Sequence, residues 1–290
     1  MIPNNNLSVL PWYTSIEQQN ARKWWMYGRV YPLFTQGGFV LPWQLITPHS
    51  SATPESIRPV ELYDANTGLV VDTSFAGNFR SQITKVEFTN YGYDVWVFPG
   101  TLPVFPSLQN GRYYLYMEID LAPYYSEIFT VVNDMDPYLK ITWWDDNDFV
   151  MDAGTIVYAQ PAFRNIVYLQ ADIAKPEYIF EEEGETRDGY FFPIKQISEK
   201  RYRFNFFSSE YLLDVMRLIR MADHITITYR GQEYVPDTFL ITPEWENNGD
   251  VAVVEAVFET ATVAKKIGTS GDVYVRLGDY NNDFNNDFSK

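Results

Sequence analysis

Alternation between apolar and polar positions predicts a chain built mainly from short β-strands. Residues 113–120 show this pattern most clearly, because Leu115, Met117 and Ile119 alternate with tyrosines and acids. A period of two places those three side chains on one face of a half-buried strand.

Two further strands with the same period are predicted at residues 128–132 and 138–144. In the second strand one face is apolar, through Leu139, Ile141 and Trp143. Polar turns separate these segments at spacings of about ten residues, which is typical of antiparallel sandwiches. We therefore expect an antiparallel β-sandwich domain over residues 51–173.

One stretch of the body carries a long helical pattern, at residues 209–222. Its apolar positions recur at i, i+3, i+4 and i+7 and form a single stripe, Leu212, Val215, Met216 and Ile219. Either Ser208 or Ser209 is expected to cap the first turn.

Strands are predicted on both sides of this helix. One precedes it at residues 202–206, and three follow it at residues 225–229, 234–241 and 251–258. This order predicts a small α+β domain over residues 174–267, with one helix packed on an antiparallel sheet.

Residues 1–50 are expected to form an N-terminal arm. Ser15 and Gln18 match a capping box, in which the two side chains bind free backbone N–H groups at the start of a helix. The helix would span residues 15–27 and expose two adjacent tryptophans, Trp24 and Trp25. These side chains need an apolar surface, either on this chain's own body or on a neighbour, and the sequence leaves both open.

Residues 268–290 are polar and are expected to form a C-terminal tail. Phe284 and Phe288 would be its natural anchors on another surface. The fold class expected from these patterns is therefore mainly β, a sandwich followed by an α+β domain, with extended arms at both ends.

An acidic block with aromatic flanks lies within residues 178–207. Its acids are Glu181, Glu182, Glu183 and Glu185, and a basic run follows, Lys200, Arg201 and Arg203. We expect the acids at the tip of a projecting hairpin or arm, because acids on surface loops more often meet solvent or a partner than a substrate. The arm would have the basic run as its return strand and three aromatic anchors, Tyr190, Phe191 and Phe192. With Arg187, Trp24, Trp25, Phe284 and Phe288, these residues form a hypothetical oligomer interface.

Composition narrows the classes of function. Aromatic residues make up 17% of the 290 residues. This content favours β-strands and large protein–protein contacts in which the aromatic side chains keep one side in water. The formal net charge is −16 and no concentrated basic face is evident, so we expect no direct nucleic-acid binding. We expect no secretory signal and no membrane span, because no charged-then-apolar leader and no long apolar run occur. The absence of cysteine excludes disulfides, thiolate nucleophiles and cysteine-ligated zinc.

Histidine chemistry is weakly supported. The only two histidines are His49, in a polar proline-containing linker, and His224, which is expected to end the predicted helix and benefit from its dipole. No G-x-S-x-G elbow, H-E-x-x-H pair or glycine-rich phosphate loop is present.

Carboxylate chemistry is the strongest enzymatic alternative, but its signal is unspecific. A glycosidase needs two acids in an aromatic cleft, and a chain with 38 acids supplies such pairs by chance. Two clusters carry oxygen ligands suited to calcium, at residues 145–148 and 279–283. Both are expected to be solvated turns or tail, the usual fate of such clusters, and in the second Phe284 stands where an EF-hand loop needs glycine.

Longer motifs resemble a known family. The sequence from Lys175 reads K-P-E-Y-x-F-E-E-E-G-E-x-R-D-G-Y-F-F-P-x-K-Q-x-S-E-K, followed by E-Y-L-x-D and L-I-R-M-A-D. Together with segments at 124–127 and 258–260, it resembles virion structural proteins of Bacteroidetes phages, including crAss-like phages. The resemblance covers about residues 110–266.

The resemblance implies a non-enzymatic ring or collar protein of a phage tail or head–tail connector, without cofactors or catalytic residues. It implies a homo-oligomeric ring, dodecameric in such proteins, that is stacked below the portal and contacts tail, portal or fibre proteins. Such a protein is assembled in the host bacterial cytoplasm and resides in the virion. The alternatives are a carbohydrate-binding β-sandwich that uses Trp96, Trp143 and Trp144, or a two-carboxylate glycoside hydrolase.

Overall fold

The computed structural model describes residues 7–21, 33–37, 41–100, 108–147, 149–150, 156–158, 163–245, 251–260 and 264–267. It is mainly β, with 56% strand and 14% helix, and contains several antiparallel sheets and curled half-barrels. The prediction of a mainly β chain with antiparallel sheets is confirmed at this level.

Within the described residues, most elements are strands and few are helices. The strands are β1 Trp12–Tyr13, β2 Leu33–Gln36, β3 Trp43–Pro48, β4 Val60–Asp64, β5 Val70–Asp72, β6 Thr84–Phe88, β7 Tyr93–Phe98, β8 Gly111–Ile119, β9 Ala122–Ser126, β10 Phe129–Val132, β11 Leu139–Trp144, β12 Phe149–Val150, β13 Ile156–Tyr158, β14 Asn165–Leu169, β15 Glu177–Arg187, β16 Tyr190–Ser209, β17 His224–Tyr229, β18 Gln232–Tyr234, β19 Pro236–Trp245, β20 Val251–Thr260 and β21 Ala264–Ile267. The helices are α1 Ile16–Ala21, α2 Ala76–Gln82 and α3 Glu210–Met216, with 3-10 turns at Pro54–Ser56, Thr89–Tyr91 and Arg217–Met221.

The largest sheet is built around β8. One edge of β8 pairs with β4, which in turn pairs with β5. The other edge pairs with both β9 and β10, at different residues of β8. Leu115, Met117 and Ile119 all point into the core, as the alternation predicts. One ladder departs from the antiparallel expectation, because β2 runs parallel to β10.

A second sheet joins segments that the sequence analysis places in different domains. Its strand order is β14-β11-β17-β18, and β11 pairs with β17 from Lys140 opposite Thr228 to Trp144 opposite His224. Residues 225–229 therefore do not join the sheet that carries the helix, contrary to the expected strand–helix–strand unit. The reason is a long-range match, in which fully buried Ile227 lies beside fully buried Ile141.

The third large sheet has the order β15-β16-β20-β19, with β21 also paired to β16. Helix α3 packs on β16, and the 3-10 turn Arg217–Met221 packs on β19. Ser209 caps α3 by accepting the N–H of Leu212 at 3.4 Å, as one of the two predicted caps. The predicted apolar stripe is buried, at Leu212, Val215, Met216 and Ile219. A further small sheet, β3-β7-β6, lies beside these.

The described parts of the N-terminal 50 residues pack on this chain's own body. β1 pairs with β9, β3 pairs with β7, and the Trp12 and Trp43 rings meet at 4.9 Å between centroids. Helix α1 begins as predicted, because Ser15 Oγ accepts the N–H of Gln18 at 3.2 Å; the Gln18 side chain instead accepts the Thr14 N–H, also at 3.2 Å. Trp24 and Trp25 lie outside the described residues.

Most buried apolar side chains form one continuous core that runs from Val9 to Phe258. It contains the fully buried Trp43, whose ring lies 5.7 Å from Phe98 and 6.0 Å from Phe79 between centroids. Both this core and the β11–β17 ladder cross the predicted boundary between residues 173 and 174.

Replacement of Trp43 by alanine should therefore destabilise the whole protein. We expect the free energy of unfolding to fall by about 3–5 kcal/mol, because the change removes a buried ring and leaves a cavity. Urea denaturation followed by circular dichroism measures the effect. Trp245→Ala is the matched control, since Trp245 is 45% exposed and its loss should cost less than about 1 kcal/mol. Similar midpoints for the two variants would contradict the single-core description.

Candidate assembly surface

A long hairpin extends from the third sheet. β15 and β16 pair from Glu177 opposite Arg201 to Arg187 opposite Tyr190. Strand β16 has 20 residues, but β20 pairs with it only from Arg201 to Ser209. The remaining part of β16, together with β15, forms a ribbon beyond the body, which we call the arm (residues 177–200). β21 pairs with it along residues 195–198.

The turn that closes the arm is Asp188-Gly189. Both residues have positive φ angles, 52° and 83°, which is the backbone of a two-residue type I′ hairpin turn. The expected position of the acids at the tip is therefore wrong. Glu181, Glu182 and Glu183 lie along strand β15, because the Asp-Gly pair supplies the turn and Gly184 stays within the strand at a bulge.

One face of the arm is aromatic. Tyr178 and Phe180 are 71% and 60% exposed, and they lie opposite Lys200 and Ser198 in the register. Cross-strand partners share a face, so this face continues along β16 into Tyr202 and Phe204, which are buried in the body. After the bulge, Phe191, 49% exposed, lies opposite Thr186 on the same side. We call this surface the aromatic face.

The opposite face of the arm is acidic. Alternation along β15 places Glu181, Glu183 and Glu185 there, and all three are exposed. In the register, Lys195 lies opposite Glu183. We call this surface the acidic face.

The basic run at the base of the arm is engaged within the chain. Arg201 forms an ion pair with Glu259 at 2.6 Å, and Arg203 bonds Glu255 and Glu177, each at 3.2 Å. The hydrogen bonds to Glu255 and then Glu177 raise the pKa of Arg203. Lys200 lies over the Tyr178 ring, with Nζ 5.7 Å from its centroid. The run is thus the return strand of the hairpin, and its two guanidinium groups fasten the arm to the body.

The aromatic residues expected to anchor the arm are not buried against this chain. Tyr190 is 72% exposed, and Phe191 is half exposed. The side chains of Arg187 and Phe192 lie outside the described set, as do residues Phe284 and Phe288.

A buried charged cluster, which the sequence analysis missed, lies between β3, β6 and β7. The fully buried Asp94 carboxylate contacts His49 Nδ1 at 2.7 Å and Lys85 Nζ at 3.2 Å, and it accepts the N–H of Ser50 at 2.9 Å. Lys85 also binds Glu87 at 2.9 Å. An aspartate within the apolar strand YDVWVF was the signal that could have revealed it.

These contacts shift two pKa values. Burial alone would raise the pKa of Asp94, but the bonds from His49, Ser50 and Lys85 outweigh it and hold that pKa below its usual value. Burial would lower the pKa of Lys85, and the bonds from Glu87 and Asp94 outweigh it and raise that pKa. Both groups are therefore charged near neutral pH.

The same cluster has the ligand types of a metal site, but the Lys85 ammonium already pairs with both of its carboxylates. Ligand atoms of His49, Glu87 and Asp94 lie within 4.8 Å of one another. The Lys85 ammonium bonds both carboxylates, so it supplies the positive charge that a metal ion would otherwise bring. The arrangement is suited to structural pairing of strands rather than to metal binding.

A second polar cluster joins the turn after β11 to the start of β17. Asp145 accepts the N–H of Asp223 at 3.1 Å, and Asp223 in turn accepts the N–H of Asp146 at 3.1 Å. Asp145 is buried, which raises its pKa, so this part of the 145–148 segment is not the solvated turn that we expected. His224, 2.9 Å from Asp146, begins β17 instead of ending the helix, because the helical segment stops at Met221.

The tryptophans proposed as a sugar platform have no open face for this role. Trp96 and Trp143 are fully buried. Trp144 stacks on His224 at 4.9 Å between centroids and lies under the Arg164 guanidinium at 4.4 Å. A groove of about 760 Å³ beside Trp144 runs between β17 and β19, and the stacked Trp144 and His224 are part of its lining.

No protein-family model and no curated protein matches this chain. None of the helices that the structure describes is long and apolar enough to cross a membrane.

The Asp94 cluster predicts a pH-dependent contribution to stability. At pH 7, Asp94→Asn should lower the free energy of unfolding by about 3 kcal/mol, because it leaves the nearly buried Lys85 ammonium without its buried counter-charge. Since the folded-state pKa of Asp94 is depressed, its contribution is present above the unfolded value of about 3.9 and is lost as pH falls further. The gap between wild type and variant should therefore narrow toward pH 3 in urea titrations.

Glu87→Gln is the control for this experiment. Glu87 binds the same ammonium but is 52% exposed, so its loss should cost less than about 1 kcal/mol. Equal effects of the two substitutions, or a gap that does not depend on pH, would show that Asp94 is not the buried counter-charge.

Proposed function

We propose that this chain is a non-enzymatic structural subunit of a phage tail or head–tail connector. In this role it forms a closed homo-oligomeric ring below the portal and contacts neighbouring virion proteins. The observation that carries the proposal is the arm, a ribbon with an exposed aromatic face and an exposed acidic face. The resemblance of residues 110–266 to Bacteroidetes phage virion proteins is the reason for proposing a phage tail or connector as the assembly.

The chemistry of the arm supports an assembly role. Soluble monomers rarely expose several large aromatics on one rigid surface, and such surfaces usually mark protein contacts. Rings are built from heterologous contacts, in which one surface meets a different surface of the next copy. A ribbon that reaches beyond the body is well placed to make a contact of that kind.

We also propose a division of the fold into two domains, a β-sandwich over residues 51–173 and an α+β domain over residues 174–267. The sheets around β8 and β7 supply the layers of the first domain, and the sheet of β15, β16, β20 and β19, with α3 packed on β16, supplies the second. Arms at the two ends of the chain complete the arrangement, with β1 and β3 fastening the first of them. The continuous core and the β11–β17 ladder make the two domains one rigid support for the hairpin.

Among the described residues, the charged clusters support structure better than catalysis. Asp94 is enclosed by its own partners, and Asp145 does not line the groove beside Trp144. The acids of the arm are exposed, so they lack the dry, walled cleft that two-carboxylate hydrolysis requires.

Shortening the arm should abolish assembly without unfolding the body. In the variant, residues 180–198 are replaced by Asn-Gly, so that the register partners Ile179 and Glu199 flank a new type I′ turn. Mass photometry and negative-stain microscopy should show rings for the wild type and monomers for the variant. Asp188→Asn, which keeps the full arm and a compatible turn, should still form rings.

Two outcomes would contradict this proposal. A wild-type protein that stays monomeric and never enters virions would refute the ring. A shortened variant that forms normal rings, with an unchanged melting temperature, would show that the arm is not an assembly surface.

A further inference from the structure

Strand β21 leaves an open position in the sheet at the arm. Strands β20 and β21 both pair with the edge of β16 that faces away from β15, β20 along residues 201–209 and β21 along residues 195–198. Beside β20 the sheet continues with β19. Beside β21, within the part of the chain that the structure describes, no further strand follows. The outer edge of Ala264–Ile267 is therefore available to a strand of four residues.

The sequence that follows β21 has the pattern of a β-hairpin. Residues 268–271 read Gly-Thr-Ser-Gly, which is turn chemistry, and loops of four residues commonly join antiparallel strands. Residues 272–277 then read Asp-Val-Tyr-Val-Arg-Leu, with Val273, Val275 and Leu277 at alternate positions. Valine and tyrosine favour strands, and a period of two is typical of a strand with one apolar face.

We propose that residues 272–275 pair antiparallel with β21 and form a further strand of the arm. The length of the loop fixes the register, because a hairpin loop determines which residues face each other. Asp272 then lies opposite Ile267, and Val275 lies opposite Ala264. The polar tail expected from the sequence begins only after this strand.

The open position has the length that this strand needs. β21 pairs with β16 over four residues, and β19 takes up the next position in the sheet only from Pro236, opposite Thr260. A strand of four residues beside β21 therefore ends before it meets β19. The sheet would continue from the body onto the arm as one more row of backbone hydrogen bonds.

The short connection favours this chain's own segment over the same segment of a second copy. The five residue steps from Ile267 to Asp272 span at most about 18 Å, so the segment always stays close to this edge. A short flexible tether gives an effective concentration in the millimolar range. The segment of a second copy would have to reach that concentration in solution to compete.

The register also decides which side chains join the aromatic face. Val273 and Val275 lie in the rows of Gln196 and Ser198, and Ser198 pairs with Phe180 across the hairpin. Residues in one row of a sheet share a face. The two valines therefore widen the aromatic face by one strand, and the surface proposed for assembly includes a part of the C-terminal segment.

The alternative is that charge alone protects this edge. The sequence of β21 contains two lysines, at positions 265 and 266, and lysine on an edge strand discourages pairing with another strand. In that case residues 272–277 have no partner on the arm. The two possibilities differ in whether one defined register exists.

A pair of cysteines tests the register, because the native chain has none. Lys265→Cys combined with Tyr274→Cys puts two thiols on directly opposed residues, at a separation that a disulfide can bridge. Mild oxidation should remove both free thiols. Peptide mapping should find the 265–274 link in a species that migrates as a monomer on a non-reducing denaturing gel.

Lys265→Cys combined with Val275→Cys is the matched control. Residue 275 is the neighbour of residue 274 but points to the other face of the sheet, so this pair should keep most of its free thiols. Equal oxidation of the two pairs, or no 265–274 link, would overturn the proposal. A link found only in covalent dimers would also overturn it, because the strand would then come from a second copy.

Hydrogen exchange tests the same pairing without cysteines. Val273→Pro removes a backbone N–H from the proposed strand, so the amides of residues 264–267 should lose protection. Tyr280→Pro, beyond the strand, is the control and should leave their exchange unchanged. Unchanged exchange in the Val273→Pro protein would contradict the proposal. Neither experiment requires a ring, so a negative result here leaves the proposed function intact.

Discussion

The continuous hydrogen-bond ladder of strand β16 is the constraint on which the architecture of the assembly surface depends. The strand has 20 residues, and its two ends lie in different environments. Toward its C-terminal end it pairs with β20 and contacts α3, and Tyr202, Phe204 and Phe206 are buried. Toward its N-terminal end it pairs with β15 and carries the arm away from the core. Because one strand spans both regions, the direction of the arm is fixed by the packing of the body.

The packing of the body holds this strand in place. One core joins the N-terminal segment, the sheet around β8 and the sheet of β16, while the β11–β17 ladder links the early and late parts of the chain. The buried Asp94 cluster and the Asp145–Asp223 bonds tie loops to strand ends. At the base of the arm, Glu177 and Arg203 connect β15 to the body through a hydrogen-bonded ion pair. These polar contacts position elements, and the apolar core supplies most of the stabilisation.

Local sequence patterns predicted the strands and helices better than they predicted which strands pair with each other. Strand β8, strand β11 and the capped helix α3 follow from alternation, apolar spacing and a serine, which are all encoded within a few residues. The pairing of β17 with β11 and the parallel β2–β10 ladder depend on contacts far apart in the sequence, so no local signal specifies them. The same holds for the burial of Asp145, whereas the burial of Asp94 had a local signal, an acid within the apolar strand β7. The Asp188-Gly189 turn was readable as a hairpin signal, and it would have placed the acids along the strand instead of at the tip.

If the arm is an assembly surface, its aromatic face is covered in the assembled protein. Brief hydroxyl-radical labelling, read by mass spectrometry, measures this in free and assembled samples. Tyr178 and Phe180 should be labelled strongly in the free chain and protected on assembly. Tyr91, which is 62% exposed and distant in sequence from the arm, serves as the internal reference. Unchanged labelling of Tyr178 and Phe180 in assembled particles would show that the aromatic face stays exposed and is not an assembly contact.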